Sequence, residues 1–215
     1  MRRSLLHIAV ALPVALAAGA ALLHSDPPPL RNDLAELARL QVATHDPSAG
    51  HATPRDYLLA RRELIEKSSV PELIVLMRND PDAAVRMSAL QLLGAKGGPE
   101  ALEALRDIHR RGEGAMRLAA VHGIAQIGDV PALIEILHSG VGGPQAAAAL
   151  GRLKAGVPDL AAALADETDL SRACHAATAL AEIGSSEARH ALETCQTENP
   201  TLRRAVERAL LKESR

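Results

Sequence analysis

Between Arg78 and Leu102 the sequence RNDPDAAVRMSALQLLGAKGGPEAL gathers side chains that could do chemistry: the carboxylates of Asp80 and Asp82, the guanidinium of Arg86, and glycines at 94, 97 and 98. Asp82 and Arg86 stand four residues apart, the spacing of an ion pair along one helix face. The alternative is a row of arginines, Arg86 with Arg117, that binds an anion. A phosphate-cradling loop requires a Lys followed by Ser or Thr after a strand-like run. Gly94-Ala95-Lys96-Gly97-Gly98 has neither, so it reads as a helix end.

The remaining candidates thin out in the same way. Nine histidines occur without an HExxH or CxxC pattern, and His45 and His51 share a segment with no third ligand beside them. No metal site is expected. Ser88, Ser139, Ser171, Ser185 and Ser186 lack the G-x-S-x-G elbow of an activated nucleophile. The sequence therefore points to no catalytic residue and no cofactor. Cys174 and Cys195 lie ten residues before and eleven after Gly184. A turn at Gly184-Ser185 between antiparallel helices would set them side by side, which in an oxidising compartment favours a disulfide; two separate buried thiols are the alternative.

The elements that must carry these residues repeat. AVHGIAQIGDVPALIEIL (Ala120 to Leu137), ALQLLGAKGGPEALEAL, ATALAEIGSSEARHALE and ARRELIEKSSVPELIVLM share a small residue, an aliphatic one turn later, and a break at Ser68, Gly97, Gly128 or Gly184. The breaks are 29, 31 and 56 residues apart, the last interval hiding one more copy around Ala146 to Leu164, so the period is about 30. Each unit reads as two short helices. Pro71, Pro99, Pro131 and Pro158 open the first, where the missing N–H costs nothing. Val85, Ala89, Leu92 and Leu93, and Met116, Ala120, Ile124 and Ile127, give the second its apolar stripe. Neither helix can bury that stripe alone, so units must stack. The expected pairs are 30–43 with 54–67, 70–79 with 81–95, 98–111 with 113–127, 129–138 with 143–153, 157–165 with 168–183, and 185–195 with 199–212. The fold class is all-α, an α-solenoid of about six antiparallel helix pairs over 30–215. The Ala-rich pair near 145 to 165 has the least apolar bulk and is expected to be the softest.

DPDAAVRMSALQLLGAKGG resembles the short bacterial HEAT-like repeats found in phycobilisome-lyase-like proteins: Asp-Pro-Asp, Val-Arg, an Ala, then Leu-Gly before a glycine break. The resemblance spans roughly residues 54 to 212. It implies that the second helices line the inner face, which places Arg62, Gln91, His122 and Thr178 there, with Arg152 and Glu182 a turn further along. Such repeats serve enzymes, scaffolds and adaptors alike. The HEAT-type metalloenzymes resembling deoxyhypusine hydroxylase carry His-Glu dipeptides, and no His precedes Glu here. HEAT-like DNA glycosylases use aromatic side chains, whereas Tyr57 is the single aromatic residue among Phe, Trp and Tyr.

Residues 1–23 differ from the rest. Arg2 and Arg3 precede a charge-free run from Leu5 to Leu23, with Ala18-Gly19-Ala20 as a small-residue cleavage site. This is the pattern of an export signal or, uncleaved, of a membrane anchor; 24–29 (HSDPPP) is a linker. The expected location is the periplasm or cell envelope. Without Arg2 and Arg3 the chain carries 22 Lys plus Arg against 26 Asp plus Glu, which argues against a nucleic-acid partner. The expected function is a non-catalytic scaffold for a protein or peptide partner, with membrane contact only through the N-terminal segment. The competing readings are a lyase-like enzyme or enzyme subunit, and a membrane-anchored spacer.

Overall fold

The helix starts are set locally. Thr53 and Ser69 accept the backbone N–H groups of Asp56 and Glu72, whose carboxylates accept the cap N–H groups in return. These reciprocal capping boxes satisfy two donors that the first helical turn leaves orphaned. They also hold both carboxyls below the usual range. Asp82, Asp129, Asp169 and Ser185 each cap a later helix through one side-chain oxygen. Pro71, Pro99, Pro131 and Pro158 stand in the first turn of their helices, and Gly128 and Gly184 end theirs in the left-handed conformation at φ 81° and 63°.

The computed structural model describes residues 29–45, 53–139 and 141–213. Among them are twelve α-helices and no strand: α1 (Pro29–His45), α2 (Pro54–Lys67), α3 (Val70–Asn79), α4 (Ala83–Lys96), α5 (Pro99–Arg111), α6 (Gly114–Ile127), α7 (Val130–His138), α8 (Gly143–Leu153), α9 (Val157–Ala165), α10 (Leu170–Ile183), α11 (Ser186–Thr194) and α12 (Pro200–Glu213). The six expected pairs are present, with ends that differ by at most two residues. Pro29, read as linker, begins α1. The expected signal or anchor at 1–23, the rest of the linker and His51 lie outside the described residues. Among the described residues no helix is long and apolar enough to cross a membrane.

Pairs α3–α4 to α11–α12 form a two-row stack, an all-α solenoid. The first helices follow one another in one row and α4, α6, α8, α10 and α12 in the other. The core lies between the rows. Leu73 and Met77 meet Val85, Ala89, Leu92 and Leu93, and the same layer continues through Leu105, Ile124, Leu133, Leu137, Leu150, Leu160, Leu180, Leu192 and Leu202, all buried. With no aromatic bulk to fill gaps, the rows close by backbone approach. A Cβ added at Gly94 would stand 2.6 Å from Gly123 Cα, and one at Gly151 would stand 2.9 Å from Ala179 Cα. The α4–α6 and α8–α10 crossings are thus close packed. The alanines at 145–165 belong to such a crossing: Ala146, Ala147 and Ala149 are buried, and their small size lets α8 approach α10. The looser seam lies between α6 and α8, where Val121, His122, Ala125, Gln145, Ala148 and Arg152 border a cleft.

The N-terminal pair departs from the stack. α1 packs on α2 but also directly on α4. Arg31 Nε donates to Asp80 Oδ2 at 2.8 Å, and Asp80 Oδ1 accepts the N–H of Asp82 at 2.9 Å. Asp80 is buried, 7% exposed, so its charge stays in the fold because both oxygens are satisfied. This bond clamps α1 onto the α3–α4 turn.

The arginine spacing acts differently from the expected Asp82–Arg86 pair. Arg86 donates to the carbonyls of Asp80 and Pro81, at 2.7 and 3.0 Å, rather than to the Asp82 carboxylate. Arg117 donates to the His109 carbonyl at 2.9 Å, and Arg203 to those of Thr197 and Glu198. These carbonyls lie at or just beyond the C-terminus of the preceding helix, where acceptors lack partners and the dipole is negative. Asp82 is occupied as the cap of α4, accepting from Ala84 N at 2.8 Å.

Candidate functional site

Because α1 and α2 lean over α4 instead of extending its row, an open groove forms beneath them. Its volume is about 550 Å³, and Gln41 of α1, Tyr57, Leu58 and Arg61 of α2, Gln91 of α4, and Leu118, Ala119, His122, Gly123 and Gln126 of α6 line it. Local sequence accounts for each wall. Tyr57, Leu58 and Arg61 follow the α2 cap on one face, at i, i+1 and i+4. Gln91 stands one place beyond buried Leu90, and His122 beside buried Val121, so both sit at the margin of the buried face of their helices. The α4–α6 floor is close because Gly94 and Gly123 meet there, and Gln126 Oε1 lies over Gly94, 3.0 Å from where a Cβ would be.

The chemistry of this lining is specific. Among the described lining residues the ionisable groups are Arg61, His122 and the Tyr57 phenol, and none is a carboxylate. Three primary amides, Gln41, Gln91 and Gln126, can each offer a donor and an acceptor. Leu58 is 59% exposed and Leu118 39%, so apolar surface stands open between the polar groups. Among the described lining residues no nucleophile is paired with a base.

Four of the six residues expected on the inner face line three clefts rather than one row. Gln91 and His122 share the groove just described. His122 also borders the α6–α8 cleft, together with Arg152. Glu182 lies against α8, its Oε2 3.0 Å from a Cβ placed on Gly151. Thr178 lines a third cleft between α10 and α12. Arg62 is exposed and pairs with Glu66 at 3.2 Å, outside the groove lining. Its neighbour Arg61 takes the groove position, because α2 follows the lean of the first pair and not the register of the later second helices. Gln41, Tyr57 and Leu58 were missed for the same reason. The single aromatic residue of the chain was the one signal that could have drawn attention to α2.

Cys174 and Cys195, expected as a disulfide pair, are each unbonded in this structure. Cys174 opens on the α10–α12 cleft beside Thr201, Ala205, Arg208 and Ala209, whereas Cys195 opens on a cleft bordered by Arg203, Val206, Glu207 and Leu210. Those two sets are opposite faces of α12. Burial pushes both thiols above their usual value, away from the reactive thiolate. His175, next to Cys174 in sequence, has its Nδ1 2.7 Å from the Ser171 carbonyl oxygen. Among the described residues no three His, Cys, Asp or Glu side chains converge as metal ligands.

Residues 70–149, from the start of α3 into α8, match the family model for HEAT repeats. No curated protein matches the chain.

Proposed function

We propose that the chain, whose residues 70–149 match HEAT repeats within an all-helical stack, works as a non-catalytic scaffold whose groove under α1–α2 holds a segment of a partner polypeptide. The observation that carries this is the lining itself: exposed Leu58 and Leu118 beside Tyr57, three amides, and Arg61 and His122 with no carboxylate among the described lining residues. Amide side chains can bond both the N–H and the C=O groups of an extended peptide, and an aromatic with aliphatic neighbours supplies an anchoring pocket. Arg61 favours a segment with net negative charge, since complementary charge sets orientation and speeds encounter. The partner segment is therefore an extended one with aliphatic side chains flanked by Asp or Glu. The proposal includes a place in the cell envelope, supported by Arg2-Arg3 and the charge-free run from Leu5 to Leu23.

Site-specific photo-crosslinking in cells tests the proposal. A crosslinking residue in place of Gln91 should capture a discrete polypeptide, and the same residue in place of Val75, which is exposed on α3, should not. Equal capture at the two positions, or none at Gln91, refutes the groove as the binding face.

A further inference from the structure

A second pocket lies on the other row of helices. Successive first helices touch at α3–α5, α7–α9 and α9–α11, but α5 and α7 stand further apart. The gap between them, about 210 Å³, is walled by Arg106, His109 and Arg110 of α5, Arg117 of α6 and Glu135 of α7, with Ser139 at its end. We propose that this gap is a binding pocket for a phosphate-type oxyanion, held by the guanidinium groups of Arg106, Arg110 and Arg117.

The donors are only partly used. Arg106 gives one bond to Asp129 at 3.1 Å, and its Nε is buried with no acceptor. A buried N–H without an acceptor is unfavourable, so a turn of the Arg106 guanidinium toward an incoming acceptor is favoured. Arg117 spends its Nε on the His109 carbonyl, and Arg110 gives one bond to Glu103 at 3.0 Å. Each guanidinium has five donors, so most remain for a ligand. Glu135 is the single carboxylate in the lining and pairs with none of the three arginines. His109 forms part of the wall, its Nε2 2.9 Å from the Val141 carbonyl oxygen. Burial and the Arg117 charge hold that imidazole below its ordinary value. It is therefore neutral at pH 7, and its protonation reports any negative charge brought nearby. The size also selects: drug-sized ligands need roughly 300–1,000 Å³, whereas one tetrahedral oxyanion fits within this volume.

Titration of the full chain with inorganic phosphate, against chloride at equal ionic strength, tests the pocket. Thermal unfolding and the ring-proton shift of His109 are followed together. Phosphate should raise the unfolding temperature by mass action and raise the His109 pKa. Arg110→Gln, at a half-exposed position, should weaken binding by about tenfold or more through loss of a charged hydrogen bond. Glu135→Gln should strengthen it by removing the repelling charge. Phosphoserine amide forms a second arm: tighter binding than inorganic phosphate identifies a phosphoryl group carried on a polypeptide, and the reverse identifies a free anion. Phosphate that acts no better than chloride, or equally on wild type and Arg110→Gln, overturns the proposal and leaves a pocket filled by water.

Discussion

Replacing Gly94 by Ala discriminates between two accounts of the α4–α6 contact. In an exposed helix the change stabilises by about 1 kcal/mol, because glycine loses the most backbone freedom on folding. Here the new Cβ would lie 2.6 Å from Gly123 Cα, about 1 Å inside the optimal carbon–carbon separation. The obstructing atom is backbone, so no rotamer change relieves it. α4 and α6 must part, and Leu90 and Leu93, both fully buried on α4, lose contact as they do. Overpacking costs about 1–3 kcal/mol, and a clash with backbone on both sides falls at the upper end. Set against the propensity gain, the net loss is about 2 kcal/mol. At roughly 2–4 °C per kcal/mol for a domain of this size, Gly94→Ala should melt about 4–8 °C below wild type in calorimetry. It should also reduce crosslinking from Gln91, since Gly123 forms part of the groove floor. A variant that melts at or above the wild-type temperature would mean that the helices do not approach as described.

Three further outcomes follow from particular contacts. Ile124→Ala and Leu93→Ala, at positions 0% exposed, should each cost about 2–5 kcal/mol in urea unfolding; a loss under about 1 kcal/mol would show that the repeat register is wrong. Arg86→Ala should cost about 1–3 kcal/mol by removing charged hydrogen bonds to the Asp80 and Pro81 carbonyls, while Asp82→Asn, which keeps a good cap, should cost less than about 0.5 kcal/mol. Equal losses would restore the carboxylate pairing. Because His109 titrates below its ordinary value of 6.5, the unfolded chain binds its proton first on acidification. Its contribution to stability is present above that value and is lost as pH falls through the lower folded one. His109→Gln should therefore flatten the stability change between pH 7.5 and 5 in urea titrations, and an unchanged slope would remove His109 as its cause.

What was legible in the sequence was whatever one or two turns of chain decide. Ser69 three residues before Glu72 writes a capping box, and Pro131 after Asp129 writes a helix start, so the helix boundaries were readable at nearly single-residue precision. Gln91 and His122, placed together by the repeat resemblance, line one groove. The rest depended on contacts that spacing does not encode. Nothing near Arg31 announces Asp80, 49 residues away, yet that bond seats α1 on α4 and so creates the groove, which is why Gln41, Tyr57 and Leu58 went unseen. Nearly equal distances from Gly184, ten and eleven residues, place Cys174 and Cys195 at one level of the stack, but distance along a helix does not fix the face, which turns by about 100° per residue. The arginines show the same limit from the other side. A sequence displays carboxylates four residues from Arg86 and hides the carbonyls it binds. Those carbonyls explain why the pattern can lapse: α8 carries Ala146 where Arg86, Arg117 and Arg203 stand in their own helices, and the carbonyl at the end of α7, that of Leu137, accepts from Arg172 Nη1 of α10 at 3.4 Å instead. The requirement is for a donor at each turn, and a neighbouring repeat can supply it.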